Sequence, residues 1–149
     1  MQGKLDAREY RVAIAVSVFN DSIVANLLEG AIAAWSKHHG TPENLLVAQV
    51  PGAFELPVTV RQLARSGDYD AIVALGCVIR GDTPHFEYVA GECARGLSQV
   101  SCDTGIPVAL GVLTVETLAQ AQERASLTGG DKGGEAMEVA LEMADLLAK

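Results

Sequence analysis

Residues 76–88 read GCVIRGDTPHFEY, and the chain changes character halfway along them. Ala71 to Ile79 is a nearly unbroken apolar run, as expected of a strand buried on both faces of a sheet. Arg80-Gly81-Asp82 breaks the run. Thr83 is of a type favoured at a helix N-cap, Pro84 suits the first helical position, and helical composition continues from Phe86 to about Asp103. A strand passing straight into a helix leaves backbone N–H groups unpaired from Gly81 to His85. With the positive end of the peptide dipoles and the Thr83 hydroxyl, these amides make a turn suited to phosphate. His85 stands in that turn, where it can take up and return a proton.

The same alternation recurs on either side. Val12 to Phe19 reads as a buried strand, and Asn20-Asp21-Ser22 supplies cap types for a helix to about His38, with Val24, Leu27, Leu28, Ala31 and Trp35 as its inner stripe. Gly40 and Pro42 end that helix, and Leu45 to Val50 is a short second strand. Pro51-Gly52 marks a tight turn, and Pro57 fits only the first turn of a helix running to Ser66. After Gly105-Ile106-Pro107 a fourth strand is expected through Leu113, with Thr114 beginning a turn. A short helix over Thr117 to Ala125, a glycine-rich loop over Ser126 to Gly134 and a last helix to Lys149 follow. The last helix is expected to turn Ala136, Val139, Ala140, Met143 and Leu147 inward. Four apolar strands, each followed by a helix, specify a parallel sheet covered on both faces, and right-handed crossovers make it a three-layer α/β sandwich.

The chain has 149 residues, of which 49% are hydrophobic, the size of one ordinary domain with no room for a second. A formal charge of -8 argues against nucleic acid as a partner and leaves no basic patch for a membrane surface. The opening MQGKLDAREY lacks the apolar core of a signal peptide, and no apolar run approaches the ~20 residues of a membrane span, so a cytoplasmic protein is expected. Cys77, Cys93 and Cys102 match no zinc spacing and fit reduced thiols; neither a metal nor a cofactor is implied.

Open sheets of this kind bind ligands beyond the carboxyl ends of their strands. That rule selects Phe19-Asn20, Gly52 to Glu55, Gly81 to His85 and Thr114 to Glu116. Two aromatic faces (Phe19, Phe54), a carboxylate (Glu55), a phosphate turn and a histidine would suit an aromatic heterocycle with a polar chain, beside a small phosphate. Each residue also has a plainer reading. His38 and His39 read as a solvated helix end, Cys77 as a small buried hydrophobe, and Phe54 as a hydrophobic staple. Glu55 and Arg124 read as charges that favour helix ends, and His85 as a cap.

The segments SVFN (17–20), VPGAFELP (50–57), GCVIRGDTPHFEYV (76–89), GVLTVETLAQAQERA (111–125) and DKGGEA (131–136) resemble, in this order and spacing, the lumazine synthase family of riboflavin biosynthesis. The resemblance implies a flavodoxin-like fold with sheet order 2-1-3-4. It implies a transferase that condenses 5-amino-6-(D-ribitylamino)uracil with 3,4-dihydroxy-2-butanone 4-phosphate to 6,7-dimethyl-8-ribityllumazine, phosphate and water. Carried over residue by residue, it implies that Phe19 stacks on the pyrimidinedione, while Ala53, Phe54, Glu55, Cys77, Val78 and Ile79 hold the ring and ribityl chain. It implies that Asp82, Thr83 and Arg124 hold the phosphate, with Lys132 close by, and that His85 moves protons.

Two positions depart from the family pattern. Leu110 stands where many members carry an aromatic on the uracil side of the site, and the loop ASLTGGDKGGEA (125–136) differs from the commoner GTK-x-GNKG form. The resemblance also implies homopentamers with active sites at the subunit interfaces, packing of pentamers into a sixty-subunit shell, and association with riboflavin synthase. A helix starting near Thr117 and running back along the sheet carries Arg124 roughly 10 Å from the strand ends, away from its own phosphate turn. Two other readings compete: a flavin-binding or shell-forming relative without the reaction, and a Cys-His hydrolase built on Cys77 and His85.

Overall fold

The computed structural model describes residues 1–149 and turns the four apolar runs into four parallel strands. In chain order the elements are β1 (Val12–Ser17), α1 (Asp21–Lys37), β2 (Leu45–Val50), α2 (Leu56–Arg65), β3 (Ala71–Ile79), α3 (His85–Thr104), β4 (Val108–Val115), α4 (Leu118–Ala125) and α5 (Lys132–Leu147). The sheet order is β2-β1-β3-β4, as the resemblance implies. Short 3-10 turns at Pro42–Asn44 and Ala53–Glu55 precede β2 and α2. No helix is long and apolar enough to cross a membrane.

Successive strand residues point to opposite faces, so each inner strand feeds two cores. Val12, Ile14 and Val16 of β1 join Val73 and Leu75 of β3 against α1, α4 and α5, where Leu27, Trp35, Met137 and Leu141 are at most 1% exposed. Ala13, Ala15, Ile72 and Ala74 pack on the other face against Leu56 and Val60 of α2 and Leu97 and Val100 of α3. Burial of each large side chain contributes roughly 1.5–3 kcal/mol. The result is the three-layer sandwich. β2, at one edge, is only half covered, with Leu46 and Val47 exposed.

Six local expectations change. β4 continues past Leu113, because Thr114 and Val115 pair with Val78 and Ile79 of β3 instead of turning. β1 stops at Ser17: the amides of Val18 and Phe19 bond to the carbonyls of Val50 and Pro51, and Asn20 takes a left-handed conformation (φ 61). The N-cap of α3 is Pro84, one residue after Thr83.

The glycine-rich loop ends at Asp131, whose side chain accepts a hydrogen bond from Gly134 N (3.2 Å) and caps α5. Its stripe is Ala136, Met137, Ala140, Leu141 and Ala144, with Val139 and Leu147 exposed. Apolar residues occur on both sides of α5. Contact with α1 selects the face, since a side chain at Gly133 would stand 1.9 Å from the Leu27 carbonyl oxygen. Lastly, His38 is not solvated: its ring Nε2 lies 2.7 Å from Glu138 Oε2 of α5, with 13% of the side chain exposed.

Candidate active site

Strand order reverses between β1 and β3, and beyond their carboxyl ends the loops part to leave a cleft of about 490 Å³. One wall is Phe19, which follows β1; another is Ala53 to Glu55, the turn that leads into α2. Cys77, Val78 and Ile79 of β3 form the floor, and His85, Tyr88 and Val89 of α3 close the far side. Eight of the residues singled out from the sequence, Phe19, Ala53, Phe54, Glu55, Cys77, Val78, Ile79 and His85, therefore meet in one place. Tyr88 and Val89 were missed, although their spacing of three and four from His85 puts all three on one helix face.

Local chemistry positions each wall. The Asn20 side-chain amide donates to the Cys77 carbonyl (3.0 Å), tying the end of β1 to the floor and leaving the Phe19 ring 63% exposed. Gly52 allows that ring to lie against the turn, with Glu55 Oε1 beside the same spot. Phe54, 59% exposed, presents a second aromatic face instead of stapling its helix inward. The Cys77 thiol is buried, and burial pushes it up to about 11. Such a thiol is protonated near neutrality, so the Cys-His hydrolase reading lacks its thiolate.

The turn from Gly81 to Pro84 adjoins the cleft at His85. The amides of Gly81, Asp82 and Thr83 have no hydrogen-bond partner in the chain, and that of His85 meets only the Thr83 hydroxyl, at 3.4 Å. A side chain at Gly81 would meet nothing within 4 Å, so the turn faces open space. Asp82 and Thr83 belong to this turn and do not line the cleft itself.

Three of the chosen residues lie elsewhere. Leu110, 49% exposed on β4, borders a separate depression with Ala90 and Ala94 of α3. Arg124 is exposed in the last turn of α4, and Lys132 opens α5, where it pairs with Glu135 (3.1 Å). These two helices cover the face of the sheet opposite α2 and α3. Within one chain the arginine adjoining the turn is Arg80, and Glu87 (3.0 Å) and Glu116 (2.8 Å) occupy its guanidinium.

A 6,7-dimethyl-8-ribityllumazine synthase of Edwardsiella ictaluri (strain 93-146) is 56% identical over 148 residues, covering 99% of this chain and 95% of that one. The family model described as 6,7-dimethyl-8-ribityllumazine synthase matches residues 9–148, so the chain belongs to that family.

Proposed function

We propose that this protein condenses 5-amino-6-(D-ribitylamino)uracil with 3,4-dihydroxy-2-butanone 4-phosphate, giving 6,7-dimethyl-8-ribityllumazine, phosphate and water. The observation that carries the reading is the junction of an aromatic-walled cleft with a turn of free amides, with His85 between them. In this reading the pyrimidinedione stacks on Phe19 and Phe54, Glu55 accepts hydrogen bonds from ring or ribityl donors, and the Cys77–Ile79 strand end holds the polar chain. The amides at Gly81–Thr83 and the Thr83 hydroxyl receive the phosphate of the second substrate.

The chemistry asks little beyond positioning and proton transfer. An amine of the uracil adds to the ketone and water is lost to form an imine. Removal of a proton from the adjacent carbon then expels phosphate from the next carbon, with the carbon–oxygen electron pair leaving on the phosphate, and the enol left behind takes up a proton at its terminal carbon to become a ketone. The second amine closes the ring on the new carbonyl, and a second dehydration gives the product. His85 accepts and returns protons, and the amides stabilise the departing anion. Holding the two reactants together supplies much of the acceleration.

A cation for the phosphate has to come from outside the chain, because Arg80 is already paired and Arg124 and Lys132 lie on the other face. We therefore take the working form to be a homopentamer in which a neighbour supplies Arg124, Lys132 and Leu110, with pentamers able to build a sixty-subunit shell. Exposed apolar residues such as Val58, Leu110 and Leu118 support burial between subunits. Unpaired Cys77, Cys93 and Cys102 suit a cytoplasmic location. The test is to mix purified protein with both substrates and follow lumazine absorbance and phosphate release. A folded oligomer that releases neither product refutes the reading, and leaves the non-catalytic relative.

A further inference from the structure

We propose that Arg80 is a positioning residue for the phosphate-bearing substrate, clamping the Gly81–His85 turn between the end of β4 and the first turn of α3. This rests on the reading of that turn as the phosphate site. Between Arg80 N, which bonds to the Val115 carbonyl (2.9 Å), and Glu87 N, which bonds to the Pro84 carbonyl (3.0 Å), the backbone has no internal main-chain hydrogen bond. A loop left open to receive an anion has no such bonds to hold its own shape. The Arg80 side chain supplies the missing restraint from outside.

Its Nη1 reaches Glu87 Oε1 (3.0 Å), across the turn, and its Nε reaches Glu116 Oε2 (2.8 Å), just past β4. Its guanidinium lies over the Phe86 ring, 4.7 Å from the centroid. Two partners on α3 and one just past β4 therefore surround one planar group, and that group reaches from one end of the turn to the other. Exposed ion pairs of this kind add little to global stability, so the clamp shapes the turn without being needed for the fold. Lysine keeps the charge but lacks the planar fork and the stacking face, so it cannot hold all three partners at once.

The experiment compares wild type with Arg80→Lys and Glu116→Gln, measuring melting temperature, steady-state constants for each substrate and binding of inorganic phosphate. Arg80→Lys is expected to lose roughly 10- to 100-fold in kcat/KM, the cost of a misplaced reacting group. Its KM for the butanone phosphate rises and its phosphate binding weakens, while KM for the uracil and the melting temperature stay near wild type. Glu116→Gln, which removes one tether, moves the same constants less. Wild-type constants in Arg80→Lys overturn the clamp. So does a loss shared equally by both substrates and matched by a lower melting temperature. Absence of product from wild type itself overturns the functional reading, and the clamp with it.

Discussion

Gly52→Ala separates the site from the fold that carries it. A Cβ at Gly52 would stand 2.8 Å from both Cδ2 and Cε2 of Phe19 and 3.3 Å from Glu55 Oε1. Carbon atoms in contact prefer ~3.5–4.0 Å, so the ring has to give by about 1 Å. The backbone at Gly52 is extended (φ -146, ψ 178), which alanine adopts without strain. The ring is 63% exposed and can swing outward. Alanine also stiffens the unfolded chain, worth ~0.4–1 kcal/mol in favour of folding, so the melting temperature should hold or rise slightly.

Binding should suffer instead. A ring displaced by about 1 Å loses much of its stacking, ~0.5–1.5 kcal/mol, equivalent to a roughly 2- to 13-fold higher dissociation constant for the ribitylaminouracil. Calorimetric titration of the variant, alone and in a Phe19→Ala background, measures this. Because the effect passes through the Phe19 ring, it should largely vanish once that ring is gone. Unchanged affinity in the single variant, or an undiminished loss in the double, would refute the placement of Phe19 against the uracil.

Other predictions follow from the same geometry. His85→Ala should slow turnover by ~10²- to 10⁴-fold without abolishing it, since the reactants remain held together; single-turnover rates check this, and complete loss in a folded variant contradicts a proton-transfer role. Arg124→Ala should raise KM for the phosphate substrate far more than for the uracil. Co-refolded with a Phe19→Ala/His85→Ala variant it should regain activity, and a verified mixed oligomer that stays inactive excludes a shared site. Hydrogen bonds from the Lys149 side chain, the Tyr10 hydroxyl and the Lys4 amide hold the Asp145 carboxyl well below its usual range. Its folded value is depressed, so its stabilisation is present above about 4 and lost as pH falls further. The difference in melting temperature between wild type and Asp145→Asn should therefore shrink below that pH; a constant difference speaks against the network. On the alkaline side, the hydrogen bond to Asp145 raises Tyr10 to about 12, so its share is present below about 10 and lost as pH rises through 12.

Much of the site was legible because its residues come from short contiguous segments at strand ends. Phe19 follows β1, Ala53 to Glu55 follow β2, and Cys77 to His85 run through the end of β3, so the topology alone brings them to one edge. Tyr88 was overlooked because its ring reads equally well as an exposed helix residue until the cleft is seen beside it. The Arg80 cluster was illegible for another reason: Glu87 and Glu116 are ordinary surface carboxylates in sequence and converge only through the packing of α3 beside β4.

Elements bounded by breakers could be read to the residue. β2 and β3 have their expected limits because Pro51-Gly52 and Arg80-Gly81 stop an apolar run by local sterics and polarity, independent of any neighbour. The order of elements, the parallel sheet and the turn of unpaired amides follow from such local rules. Where a choice depended on a partner far along the chain, only the tertiary structure made it. Pairing with β3 carries β4 on to Val115, contact with α1 selects the buried stripe of α5, and Glu138, a hundred positions away, draws His38 in from solvent. The physical reason is common to all three: the deciding energy lies in a contact between elements, and local propensity at those positions is too even to fix the outcome.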